Sequence, residues 1–201
     1  MAIKNDKGPG EKAGTYFYNR GLVKSRLDKV KGAIDDYVKA LENLGDDEYK
    51  YQALFNRGIQ YRRMGNLGAS IEDLQAACGL KKDKPSAYNN LALSQFENEE
   101  FDAAINNYDK AITLCKSAVH YNNRGLAHYH MNDLKAAEAD FNEAMNIDPH
   151  DPTIYFNRGN VYLNQDPASF ERAHEDYEHA ISIAPNNAKL WHSKGLAYQG
   201  E

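Results

Sequence analysis

The chain contains an internal repeat of about 34 residues, which restricts the folds open to it. A short motif ends each time in a small residue, which we call the anchor: Gly21, Gly58, Ala92, Gly125, Gly159 and Gly195. The steps between successive anchors are 37, 34, 33, 34 and 36 residues, and the longest steps gain polar residues between the patterned segments. Loops lengthen there at little entropic cost. Such a chain is expected to fold as an array of similar modules, each contacting its neighbours.

Residues at fixed distances from the anchor predict two helices in each module. Small and aromatic residues recur at spacings of three and four, as in Ala137, Phe141 and Ala144 of the fourth module, which places them on one helical face. Asn132 and Asp133 precede this stripe and favour a turn. Each module is therefore predicted to contain a helix A, a tight turn and a helix B, each of about 14 residues. A large apolar or aromatic residue stands four positions before every anchor: Phe17, Leu54, Tyr88, Tyr121, Tyr155 and Trp191.

This helix-turn-helix pattern of large, small, Ala, aromatic, Ala and Pro residues resembles the tetratricopeptide repeat. The resemblance divides the chain into a flexible tail at 1–13 and a repeat domain at 14–201, with repeats at about 14–48, 51–84, 85–117, 118–151, 152–187 and a half repeat at 188–201. It implies an all-α fold in which the repeats stack as a right-handed superhelix. In that arrangement helix A lines the concave face and helix B the convex one.

Arginine replaces the usual apolar residue before the anchor in four repeats, and an aspartate lies on helix B of the same four. The third repeat changes both positions, to Leu91 and Asn107. Because the two residues are present or absent together, we predict that each arginine pairs with its aspartate across helices A and B through a planar guanidinium fork. The alternative is an anion site made by the arginines. The predicted pairs are Arg20 with Asp36, Arg57 with Asp73, Arg124 with Asp140, and Arg158 with Asp176.

An asparagine stands two positions before the anchor in all five complete repeats. A primary amide has both donor and acceptor groups and can bind a peptide backbone without reading its side chains. By resemblance, the amides would line the concave face, as similar asparagines do in the repeat region of the O-linked N-acetylglucosamine transferase. The alternative is that they satisfy local helix groups or water. The set is Asn19, Asn56, Asn90, Asn123 and Asn157.

Aromatic, amide and arginine side chains at neighbouring positions complete the predicted peptide site. Aromatic and arginine residues dominate the energetics of many protein interfaces. The competing interpretation is that some of these side chains are buried between repeats. They are Tyr18, Phe55, Asn122 and Phe156 three positions before the anchor, Asn160 one after it, and Arg62 and Tyr129 four after it.

Several function classes are disfavoured. A net charge of −5 argues against nucleic-acid binding, and no apolar run approaches the roughly 20 residues that span a membrane. Without a signal-peptide pattern, and with two cysteines only, the expected location is the cytoplasm. His174 and His179 are five residues apart and cannot share one metal on a helix. No phosphate-binding loop is present, so we expect no metal, no cofactor and no catalysis.

The expected function is a noncatalytic scaffold that binds an extended peptide or partner segment in the concave groove. Family members that bind chaperone C-termini use a carboxylate clamp with Lys three positions before an anchor; no repeat here has it, which disfavours chaperone tails. One alternative is a substrate-targeting or regulatory arm of a larger enzyme. A second is self-association as a homo-oligomer through the last helix, whose apolar residues lack a covering helix B: Leu190, Trp191 and Leu196.

Overall fold

The computed structural model describes residues 9–165 and 169–199, and within them the chain forms eleven α-helices and no strand. The helix A elements are α1 (Pro9–Arg26), α3 (Asp47–Arg63), α5 (Pro85–Glu97), α7 (Ala118–His130), α9 (Pro152–Gln165) and α11 (Ala188–Gln199). The helix B elements are α2 (Val30–Asn43), α4 (Leu67–Leu80), α6 (Phe101–Leu114), α8 (Leu134–Ile147) and α10 (Phe170–Ile183). The predicted alternation of helices is confirmed, and every helix B has 14 residues.

The helices form two compact units, Met1–Glu100 with α1 to α5 and Phe101–Glu201 with α6 to α11. In both units each helix B packs against the helix A that follows it, as α2 packs on α3 and α8 on α9. Helices A of consecutive repeats also contact each other, α1 with α3, α3 with α5, and α7 with α9. The side chains that helices A present together in a unit form what we call the A-helix face of that unit.

The first helix begins earlier than the sequence pattern indicates. Residues 9–13, assigned to a flexible tail from the sequence, belong to α1, while residues 1–8 lie outside the described part of the chain. Pro9 opens the helix, where its missing N–H costs nothing, and Glu11 in the first turn favours the positive end of the helix dipole. The buried Gly14, which directly follows this extra turn, lies against Asn43 and Leu44 at the end of α2.

The turn between helices A and B has the same backbone conformation in the first four repeats. Seven residues after the anchor, φ is positive: 58° at Asp28, 76° at Gly65, 62° at Glu99 and 61° at Asn132. One left-handed residue reverses the chain sharply, and glycine or asparagine adopts it at least cost. Asp133 then caps α8 by accepting a hydrogen bond from the Ala136 N–H. The predicted turn at Asn132 is thus confirmed.

Small anchors allow the two helices of a repeat to approach closely. A Cβ atom added to Gly159 would lie 2.8 Å from Cε1 of Tyr177, and one added to Gly58 would lie 2.8 Å from Cγ of Leu74. The large residues opposite the anchors are fully buried: Tyr37, Leu74, Tyr108, Phe141 and Tyr177. Burying such a side chain contributes about 1.5–3 kcal/mol. The core of the described residues is therefore divided into small apolar clusters, each of which joins residues of one repeat to residues of a neighbouring repeat.

Candidate functional site

The predicted asparagine set does not have uniform access to solvent. Asn19 is exposed on α1, whereas Asn56, Asn90 and Asn123 are half-buried. Asn157 is buried, with 7% of its surface exposed. Three of the five, Asn19, Asn56 and Asn90, lie at equivalent positions on consecutive helices A of the first unit. The first unit therefore carries the larger accessible part of the predicted asparagine set.

The side-chain amides of Asn56 and Asn90 are held in the same orientation by their own helices. Nδ2 of Asn56 donates to the Gln52 carbonyl oxygen at 2.8 Å, and Nδ2 of Asn90 donates to the Ser86 carbonyl oxygen at 2.8 Å. No donor within the described residues lies at hydrogen-bond distance from either Oδ1 atom. Each amide thus donates to its own helix, which is the alternative stated for these residues in the sequence analysis, and keeps a free Oδ1 acceptor.

Asn157 and two other predicted ligand contacts of the second unit are engaged inside the fold. Nδ2 of Asn157 donates to Oδ1 of Asn122 at 2.9 Å. Phe156 is 9% exposed and packs near Tyr177, whose hydroxyl donates to Oδ1 of Asn160 at 2.7 Å. Phe156, Asn157 and Asn160 are therefore less available to a ligand than the sequence suggests, because their side chains already contact neighbouring side chains inside the fold.

The remaining predicted contact residues of the first unit differ in how far they are buried. Tyr18 is 7% exposed and lies edge-on to Tyr49 at 5.9 Å, so its ring belongs mainly to the core. Phe55 is half-buried, and its ring stacks on Tyr51 at 5.9 Å. Arg62 donates through Nη1 to Glu97 at 2.7 Å, which ties α3 to α5 on the A-helix face.

On the second unit, Asn122 and Tyr129 are half-buried, and the Tyr129 hydroxyl accepts a hydrogen bond from Asn164. Together with the bond from Asn157 to Asn122, this contact links α7 to α9. A ligand on this A-helix face would have to share or replace hydrogen bonds that already join the helices.

Each predicted arginine and aspartate pair is in contact in the structure. The guanidinium donates through Nε and Nη2 to both oxygens of the aspartate, over distances of 2.5 to 2.8 Å. The aspartates are buried, between 1% and 6% exposed. This bidentate geometry satisfies both charges inside the repeat, which leaves little scope for the alternative of an anion site.

Three of the cations before the anchor also contact the preceding helix B, a feature that our sequence reasoning missed. Nη1 of Arg124 donates to Asp109 at 2.5 Å, and Nη1 of Arg158 donates to Asn142 at 2.6 Å. Lys194 on α11 likewise contacts Glu178 on α10. The sequence pattern could have predicted these contacts. Each acceptor lies two residues after the pairing position on helix B of its own repeat, which holds an aspartate in four repeats and Asn107 in the third.

The pKa values of two paired aspartates depart from the ordinary value in opposite directions, because the balance between pairing and burial differs. Hydrogen bonds from Arg20 hold the pKa of Asp36 below its ordinary value, against the effect of burial, and Lys24 adds a second cation at 2.8 Å. For Asp176, burial outweighs the bonds from Arg158 and raises the pKa of the carboxyl. The pairs therefore resemble structural clamps with different electrostatic surroundings.

Models of known repeat families match most of this array. One, described as TPR repeat, matches residues 58–99 and 125–166; another, described as tetratricopeptide repeat, matches residues 85–117 and 152–187. The chain belongs to the tetratricopeptide repeat (TPR) family. The fold class expected from the sequence, an all-α TPR solenoid, is thereby confirmed.

Solved TPR structures have the same fold. A crystal structure of MamA is 25% identical, with a TM-score of 0.75 over 84% of this chain and 96% of that one. A structure of MamA from residue 41 to the end, from Desulfovibrio magneticus RS-1, is 14% identical with a TM-score of 0.78 over 90% and 98%. YrrB, described as a TPR protein with an unusual peptide-binding site, is 20% identical with a TM-score of 0.72 over 89% and 90%.

TPR repeats serve in general as protein–protein interaction modules, and the fold of this chain supports that general role. The described residues contain no cluster of three or more His, Cys, Asp or Glu side chains that could hold a metal ion. Over the same residues, every helix is too short or too polar to cross a membrane.

Proposed function

We propose that this TPR chain is a noncatalytic scaffold that binds an extended peptide on the A-helix face of its first unit. The observation that supports this is the free Oδ1 acceptor on Asn56 and on Asn90, next to the exposed amide of Asn19. A peptide backbone supplies N–H donors at regular intervals, whatever its sequence. Adjacent helices lie roughly 8–10 Å apart and an extended chain rises about 3.3 Å per residue, so one amide meets about every third residue.

The described part of the face adds few other groups that could fix a peptide sequence. The ring of Phe55 is half-buried beside Asn56, and Arg62 already pairs with Glu97. Recognition would therefore depend mainly on backbone hydrogen bonds, each contributing about 0.5–1.5 kcal/mol net. The structural neighbour YrrB, described as a TPR protein with an unusual peptide-binding site, supports a peptide as the class of ligand.

The test is a selection of random peptides on the full chain, followed by affinity measurements with the triple variant Asn19→Ala/Asn56→Ala/Asn90→Ala. We expect the triple variant to bind at least tenfold more weakly, from three lost bonds of about 0.5–1.5 kcal/mol each. Asn43→Ala is the matched control, because Asn43 on α2 is exposed and makes the same bond to a carbonyl four residues earlier, that of Lys39. Equal affinity of the triple variant and the control would refute the proposal.

A second candidate function is self-association through α11, favoured by the exposure of its aromatic residue. Trp191 is 51% exposed, whereas Tyr121 and Tyr155 at the same repeat position are 8% exposed. Nε1 of Trp191 donates to the Pro185 carbonyl oxygen at 2.8 Å, as the Tyr155 hydroxyl donates to the Pro149 carbonyl oxygen at 3.1 Å. Aromatic residues are enriched at protein interfaces. Sedimentation of the full chain and of Trp191→Ser tests this candidate: equal molecular masses would exclude it.

A further inference from the structure

Helices A after the first bury two positions that α1 leaves exposed. The first position lies five residues before the anchor and is occupied by Ala53, Ala87, His120, Ile154 and Leu190, none more than 9% exposed. The second lies two residues after the anchor in α3, α5, α7 and α9 and is occupied by Gln60, Ser94, Ala127 and Val161, none more than 3% exposed. On α1 the equivalent residues are Tyr16, 57% exposed, and Val23, 54% exposed.

The preceding repeat covers these positions wherever they are buried in a unit. Ala53 packs in the apolar cluster formed by α1 and α2, and Ile154 packs in the cluster formed by α7 and α8. Ser94 on α5 is hydrogen-bonded to Ser70 on α4 at 2.8 Å. In each case residues of the preceding helix B take part in covering the position. The face of α1 therefore has the register of a repeat interface.

Arg20 gives a second, independent indication of what belongs on this face. Its Nη1 makes only a long bond, 3.3 Å to the hydroxyl of Tyr16, whereas the equivalent atom of Arg124 donates to a carboxylate of the preceding helix at 2.5 Å. The side chain of Arg20 is 39% exposed, compared with 22% for Arg124 and 20% for Arg158. The guanidinium thus keeps an accessible donor where the later repeats place an acceptor.

We propose that this surface, the α1 end face of Tyr16, Arg20, Val23 and Leu27, binds an amphipathic α-helix of a partner protein that places a carboxylate opposite Arg20. A helix fits because helices cover the equivalent face in the later repeats. A carboxylate fits because it would accept the bond that Asp109 accepts from Arg124. Leu27, 61% exposed, extends the apolar surface by one turn.

A folded second copy of the chain is a poorer occupant. The helices B that could serve, α2, α4, α6, α8 and α10, are each already packed against the helix A that follows them. The last helix, α11, carries Lys194 at the position equivalent to Arg20, so pairing α11 with α1 would bring two cations together. The occupant we propose is therefore an amphipathic helix of a different protein, with a carboxylate that can reach Arg20.

The test is a selection from a displayed library of amphipathic helices with apolar residues at spacings of three and four, using the full chain as bait. We expect the selected helices to carry an Asp or Glu, and to bind at least tenfold more weakly to Val23→Glu. Replacing their acidic residue with its amide should weaken binding to the native chain at least fivefold. Ile147→Glu is the matched control, since Ile147 is an exposed apolar residue at the end of α8, and it should leave affinity unchanged.

Three results would overturn this inference: no helix that distinguishes the native chain from Val23→Glu, binding that does not depend on the helix carboxylate, or self-association that Val23→Glu abolishes. The proposal of peptide binding on the A-helix face is tested by a different outcome. If the selected helices lose affinity for Asn19→Ala/Asn56→Ala/Asn90→Ala but not for Val23→Glu, the proposal of helix binding at the α1 end face is refuted. The proposal of peptide binding on the A-helix face is not. Circular dichroism of Val23→Glu checks that this exposed substitution preserves the helices.

Discussion

The pair of Arg57 and Asp73 offers the sharpest test of how a repeat is held together, because the chain contains its own replacement. The two side chains are 18% and 8% exposed, and both oxygens of the aspartate accept from the guanidinium at 2.7 Å. In the third repeat the same positions are Leu91 and Asn107. Leu91 is 3% exposed in an apolar cluster, so a leucine fits the arginine position.

The expected effects follow from what each variant leaves unpaired. Arg57→Leu removes two charge-assisted bonds and strands a buried carboxylate, which costs about 3–5 kcal/mol where no water reaches the charge. Because water has some access here, we expect a loss of about 2–3 kcal/mol. Asp73→Asn retains one acceptor oxygen and should cost about 1–2 kcal/mol. The double variant recreates the third repeat's combination and should cost no more than about 1 kcal/mol, well below the sum of the single losses.

The assay is urea unfolding monitored by circular dichroism for the native chain, both single variants and the double variant. Since repeat arrays need not unfold in one step, hydrogen exchange of the α3 and α4 amides provides a local measurement of the same free energies. Losses for Arg57→Leu and Asp73→Asn that add to within about 0.5 kcal/mol in the double variant would refute the reasoning. They would mean that the two charges do not stabilise each other.

Three further outcomes are expected. The folded-state pKa of Asp36 is lowered, so the contribution of its carboxylate to stability is complete above the unfolded pKa of about 3.9 and is lost as pH falls through the folded pKa. In urea titrations at acid pH, the difference in unfolding free energy between the native chain and Asp36→Asn should therefore shrink over that range. Gly159→Ala should destabilise by about 1–3 kcal/mol, because the new methyl group would meet the fully buried ring of Tyr177, whereas Gly79→Ala, with open space around it, should be neutral or stabilise by up to about 1 kcal/mol in the same urea assay. If Trp191 forms a contact between chains, its fluorescence emission should shift to shorter wavelength with rising protein concentration, and a constant spectrum would contradict that.

Most of the fold could be predicted because the repeat restates it several times. The anchors, the buried aromatic residues opposite them and the pairing of arginine with aspartate are local features of one module, determined by helical spacing and by charge. The start of α1 was missed because Pro9 and Glu11 lie outside the repeated pattern, and packing of Gly14 on α2 is a contact between elements.

The repeat pattern establishes which residues occupy equivalent positions, but the packing of the helices determines which of them remain accessible. Asn19 and Asn157 occupy the same repeat position, yet one is exposed and the other is bonded to Asn122 of the neighbouring helix. Tyr16 and Ala53 share a position too, yet Tyr16 is 57% exposed, whereas Ala53 is buried in the apolar cluster of the preceding repeat. The physical reason is that helical periodicity places a side chain on a face, whereas burial depends on what the adjacent helices bring to that face.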